Sequence, residues 1–151
     1  MKLLDLVFPS EAERLARTGS PLLALRLFAG VGLMLHGRSK IQNPFGWMGP
    51  EAVTPGVFQA LAAVAEFFGG LAWVLGLLTP IASLGVLCTM LVAIATHLGR
   101  GDPFVGKGGW ELASLYATIA VLFGAGGPGR FSVDAWLGRA VRGSEPGAPQ
   151  S

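Results

Sequence analysis

The chain has 151 residues, of which 52% are hydrophobic and only 13% charged, with a formal net charge of +2. A soluble domain carries roughly a quarter of its residues as Asp, Glu, Lys and Arg, so the composition excludes an ordinary water-soluble domain and places the chain among membrane proteins. The small net charge, with cations scattered around apolar stretches and no basic run, gives no case for nucleic acid.

Read in chain order, the N-terminal "MKLLDLVFPSEAERLAR" contains a proline and acidic residues and lacks the apolar core of a secretory signal. Its first residues are expected on the membrane surface. Four apolar stretches follow, at about residues 21–37, 55–77, 80–98 and 109–125, each near the length of about 20 residues that a spanning helix needs. None alternates with period two, so a membrane barrel is not expected. Ser20-Pro21, Thr54-Pro55 and Thr79-Pro80 each put a hydroxyl before a proline, which predicts hydroxyl-capped helix starts at those points. Almost no loop separates the second and third stretches, which forces an antiparallel hairpin. "GAGGPG", Gly124 to Gly129, ends the fourth. In "FSVDAWLGRAVRG", Val133, Trp136, Leu137, Ala140 and Val141 share one helical face, the spacing of a short interfacial helix. The expected fold is all-α: a single membrane domain over residues 1–142, an antiparallel up-down bundle of four transmembrane helices with short interfacial helices at the termini. Residues 143–151 read as a disordered tail.

Four spans put both termini on one side, with Lys2, Arg14, Arg17, Arg130, Arg139 and Arg142. Arg38, Lys40, Arg100 and Lys107 take the other. The excess favours cytoplasmic termini.

Within the apolar stretches the ionisable residues are few. Glu66 is the only formally charged residue between Ala52 and Gly99, and Arg26 lies inside the first stretch. Charges at such depth are expensive unless paired or wet. Small residues flank both, so Arg26 and Glu66 are expected to form an intramembrane ion pair, either architectural or engaged in proton or substrate handling. His36, His97 and Glu111 fall at ends of three stretches that an up-down bundle brings to one side. They are the candidate catalytic group, a polar pocket with Arg38, Lys40, Arg100 and Lys107 around its mouth. The same residue types also suit a hydrogen-bonded plug between helices. Cations there would favour an anion, and histidine can exchange protons near neutral pH. Cys88, the one cysteine, reads as a small buried apolar residue, and no C-x-x-C motif exists. No metal site is expected. Haem ligation by His36 and His97 is open on residue type alone, but nothing else supports it.

Several segments together resemble the DoxX family of small four-helix membrane proteins. They are "LRLFAGVGLMLHGRSKI", "AEFFGGLAWVLGLLTPIAS", "MLVAIATHLGRGDPF", "GGWELASLYA" and "GPGRFSVD", in family order and with similar spacing. Arg26, His36, Gly37, Lys40, Glu66, Gly69, Gly70, His97, Glu111, Gly127, Gly129 and Asp134 fall on positions that the family pattern favours. The resemblance implies a multi-pass protein of the bacterial plasma (inner) membrane. It also implies a redox-associated subunit working with quinone, or with a thiosulfate or oxidative-stress enzyme as partner. Quinone or a small anion would be the ligand, with no covalently bound cofactor. A non-catalytic scaffold for a soluble enzyme and a small solute or proton transporter are the alternatives. Assembly into oligomers is open.

Overall fold

A computed structural model of the chain describes residues 11–143, with side chains from Thr18 to Arg142. The expected surface segment before Glu11, and the expected tail beyond Gly143, lie outside the described residues. Among the described residues, the regular structure is five helices: α1 (Glu11–Gln42), α2 (Gly56–Leu75), α3 (Thr79–Arg100), α4 (Glu111–Gly126) and α5 (Val133–Gly143).

The helix starts differ from the sequence expectation. α1 runs unbroken through 32 residues with Pro21 inside it. Proline removes one backbone bond there but does not end the helix, because "EAERLARTG" before it is rich in helix formers. No side-chain hydroxyl caps α2 or α3. α3 begins instead after Leu78, which adopts a left-handed φ of 48°. α4 starts two residues late, at Glu111. The preceding loop keeps its own bonds, from Gly109 N–H to the Gly106 carbonyl at 3.0 Å and from Glu111 N–H to the Phe104 carbonyl at 3.0 Å.

Three helical segments are long and apolar enough to cross a membrane: Thr18–Gln42, Gly56–Leu75 and Thr79–Arg100. α4 is apolar but has 16 residues, about 24 Å at 1.5 Å per residue, against a hydrocarbon thickness of about 30 Å.

α1 packs on α2, α2 on α3 and α3 on α4. α1 and α2 run antiparallel, since Gly30 meets Gly70 while Gly37, further along α1, meets Glu66, earlier on α2. A Cβ on Gly70 would stand 2.6 Å from the Gly30 carbonyl oxygen, so only glycine permits this approach. The core joins Ala29 and Leu33 of α1, Trp73 of α2, Val86 and Met90 of α3, and Ala120 and Phe123 of α4. Trp73 ties three helices together. Its indole N–H donates to Ser83 Oγ at 2.9 Å, and its ring meets Phe123 edge-on at 5.0 Å.

The outward surface is apolar. Phe28 is 84% exposed, Ile81 69% and Val92 65%, while the most completely buried side chains include Arg26, Thr79 and Ser83. That distribution suits lipid as the surrounding solvent.

Candidate functional site

Two polar networks lie along α2, one at its C-terminal end and one around its middle, at Glu66. The first caps the tight α2–α3 hairpin. The last carbonyls of a helix have no intrahelical donor, and Arg26, buried on α1, supplies donors to two of them. Its Nε donates to the Trp73 carbonyl at 2.8 Å and its Nη2 to that of Val74 at 3.1 Å. Its Nη1 donates to the carbonyls of Pro128 and Phe131 at 2.8 and 2.9 Å, which fastens the segment after α4 to the same point. A cation at a helix C-terminus is also favoured by the macrodipole. Gly76 closes α2 with φ 65°. A side chain at Gly76 would collide with the Arg26 guanidinium and with Ser132.

Asp134, at the start of α5, caps the other half of the hairpin. Its carboxylate accepts from the N–H of Leu78 at 2.8 Å and of Thr79 at 2.9 Å, while its own N–H donates to the Gly76 carbonyl at 2.9 Å. Burial pushes the Asp134 carboxyl up, but the Thr79 and Leu78 N–H bonds and the Arg26 charge outweigh it, leaving its pKa below the ordinary value.

The second network surrounds Glu66. The expected Arg26–Glu66 pair does not form. Lys40 takes Glu66 instead, with Nζ 2.5 Å from Oε1 and 2.7 Å from Oε2. The physical reason is direction: helical side chains tilt toward the N-terminus of their helix. From Arg26 that direction leads away from Glu66 and toward the end of α2. From Lys40, in the last turn of α1, it leads back toward Glu66. Lys40, expected at a pocket mouth, is therefore turned inward. Its ammonium also stands 4.5 Å from the centre of the Trp47 ring. Gln59 fixes the Trp47 loop: its carbonyl accepts from the indole N–H at 3.0 Å, its Oε1 accepts from Met48 N–H at 3.1 Å, and its Nε2 donates to the Thr54 carbonyl at 2.8 Å.

His36 stands one turn before Lys40 on α1. Its ring meets Tyr116 of α4 edge-on, at 6.1 Å and 80°. Tyr116 reaches α1 because Gly32 leaves room; a Cβ there would stand 2.5 Å from the tyrosine oxygen.

The three-residue group is not joined. No hydrogen bond or ion pair links His36, His97 and Glu111 among the described residues. His97 Nδ1 is bonded to Asp102 at 2.8 Å, a residue just past its own helix, while Glu111 is exposed in the first turn of α4. The polar rows behind them are satisfied locally: Thr89 Oγ1 donates to the Gly85 carbonyl, Ser114 Oγ to that of Trp110 and Thr118 Oγ1 to that of Ser114. Hydroxyls bonded one turn back do not require a cavity. Arg38, Arg100 and Lys107 are exposed. Cys88 is exposed on α3 rather than buried. Among the described residues, no group of three His, Cys, Asp or Glu side chains could hold a metal.

Sequence reasoning missed Tyr116, Trp47 and Gln59. The small residue Gly32, one turn before His36, was the available signal that α1 receives a large side chain there.

Long apolar helices, an apolar exterior and buried ionic networks define an integral membrane protein. The DoxX family model matches residues 21–99, more than half of the chain, and the chain belongs to that family. The match covers Arg26, Lys40, Glu66 and His97, whereas α4, α5 and their Tyr116 and Asp134 lie beyond it. No curated protein and no solved structure matches the chain.

Proposed function

We propose that the chain is a four-span subunit of the bacterial inner membrane with cytoplasmic termini, in which α4 completes the crossing together with the loop before it. We further propose that it works beside a redox enzyme, handling quinone or a thiosulfate-like anion. The observation that carries this reading is a pair of contacts that draws proton-bearing side chains from three helices: His36 edge-on to Tyr116, and Lys40 bonded to Glu66 and set over the Trp47 ring. The donor set fits a quinone head group: Tyr116 and Lys40 can donate to a carbonyl oxygen, and Trp47 offers a flat apolar surface. Quinone, when bound, would supply two-electron redox capacity. The protein residues would hold the ring and exchange protons. The His36 imidazole is a side chain of the type that can take or give a proton, and Glu66 keeps the Lys40 ammonium in place.

The test is quinone-linked oxidation by membranes containing the chain and its co-purifying partner. His36→Ala combined with Tyr116→Phe should cost at least about a hundredfold in rate, the lower end of what lost acid–base assistance costs, while the protein still accumulates and stays folded. Wild-type activity in that double variant would remove the quinone reading and leave a scaffold.

A further inference from the structure

α5 is amphipathic, but its apolar side does not cover the protein. Trp136 is 61% exposed and Val141 67%. The residues of α5 that are partly covered are Val133, Asp134, Ala135 and Gly138. The helix cannot swing freely, because its first turn is fixed to the α2–α3 hairpin by three hydrogen bonds through Asp134. It therefore lies where two spanning helices end, beside the exposed Leu78 and Phe131.

The charge around this face has one sign. Arg130, Arg139 and Arg142 are exposed, and among the described residues no carboxylate pairs with any of them. The one acid of α5, Asp134, is committed to the backbone of α3. An apolar stripe beside exposed arginines, held at the level where spans end, matches a layer that is apolar beneath and anionic above.

We propose that α5 docks on the membrane surface and selects anionic phospholipid head groups, with Trp136, Leu137 and Val141 entering the acyl boundary while Arg139 and Arg142 meet the phosphates. The inference rests on α5 alone and is independent of the quinone reading.

The test uses the full-length chain carrying Cys88→Ser and Leu137→Cys, with an environment-sensitive fluorophore on the new thiol. It is reconstituted into phosphatidylcholine vesicles with and without phosphatidylglycerol. The expected result is a blue shift and loss of quenching by aqueous iodide when phosphatidylglycerol is present. The association underlying that shift should weaken about fivefold for each arginine replaced by glutamine, the equivalent of about 1 kcal/mol per cation. Arg139 and Arg142 are exposed, so their substitution spares the fold, and the same label at Val141→Cys gives a second reading. Equal burial in both lipids would overturn the head-group preference. A label that stays in water in both would overturn docking altogether and assign the face to a protein partner.

Discussion

Arg26 and Lys40 stand on one helix and tilt the same way, and that shared direction decides which partner each can reach. Arg26 uses a planar fork of donors to hold four carbonyls. Lysine has the charge but not the fork. Arg26→Lys should therefore lose about 2 kcal/mol of stability in detergent, since backbone carbonyls are left without partners, and Arg26→Ala should lose more. Unfolding curves in mild detergent check this, and a stable Arg26→Ala variant would contradict it. For Lys40 and Glu66 the pair is largely buried on the Glu66 side, so removing either partner alone should cost about 3–5 kcal/mol. Lys40→Met with Glu66→Gln should recover part of that loss. Combining Arg26→Lys with Glu66→Gln should give additive losses, because no bond links those residues; non-additivity there, and additivity for Lys40 with Glu66, would reverse the assignment. The need of Glu66 for a cation was legible in the sequence as an isolated charge in an apolar stretch. The identity of the cation was not, because it depends on the α1–α2 register, which the Gly30–Gly70 contact sets. The His36, His97 and Glu111 grouping shows the same limit: sharing an end of the molecule does not put side chains in contact.

At the level of elements, the α2–α3 hairpin is closed by groups distant in sequence. Leu78 holds a left-handed backbone conformation that costs a non-glycine residue roughly 1–2 kcal/mol, and the Asp134 carboxylate binds its N–H and the next one. Three apolar helices could be read directly from length and hydropathy. Their caps could not, because Ser and Thr before Pro are a local signal, whereas this cap comes from α5. The Asp134 carboxyl has a folded-state pKa below its ordinary value. Its contribution is therefore complete above the unfolded-state pKa and is lost as pH falls through the lower folded-state value. Asp134→Asn should destabilise the protein near neutral pH by about 1 kcal/mol, the usual loss of a helix cap. It should also be less sensitive to acid than wild type. Melting temperatures measured from neutral to strongly acidic pH should converge for the two proteins at the acid end. Parallel curves would show that the carboxylate charge contributes nothing to the hairpin.

For the whole molecule, the question is whether α4 crosses. At 16 residues it is short, yet its two ends are attached to different ends of the α2–α3 pair. Its N-terminus follows the loop where His97 bonds Asp102 and Glu111 N–H bonds the Phe104 carbonyl, next to the C-terminus of α3. Its C-terminus leads into Pro128 and Phe131, whose carbonyls are held by Arg26 at the C-terminus of α2. α2 ends where α3 begins, so the segment before α4 and the segment after it are separated by the length of α3. α3 has 22 residues, about 33 Å at 1.5 Å per residue, enough to cross the hydrocarbon layer. On the four-span reading, a helix that starts beside the end of α3 and finishes beside its beginning crosses with it, and local thinning of the bilayer absorbs the missing length. In a Cys88→Ser background, Lys107→Cys and Arg139→Cys should react with impermeant thiol reagents from opposite sides of intact cells or oriented vesicles. The cation excess at the termini predicts that Arg139→Cys reacts from the cytoplasmic side. Labelling of both positions from one side would show that α4 does not cross, and would also separate Arg26 from the Phe131 carbonyl that it holds here. Opposite-side labelling with Arg139→Cys reached from outside would keep four spans and invert the protein in the membrane.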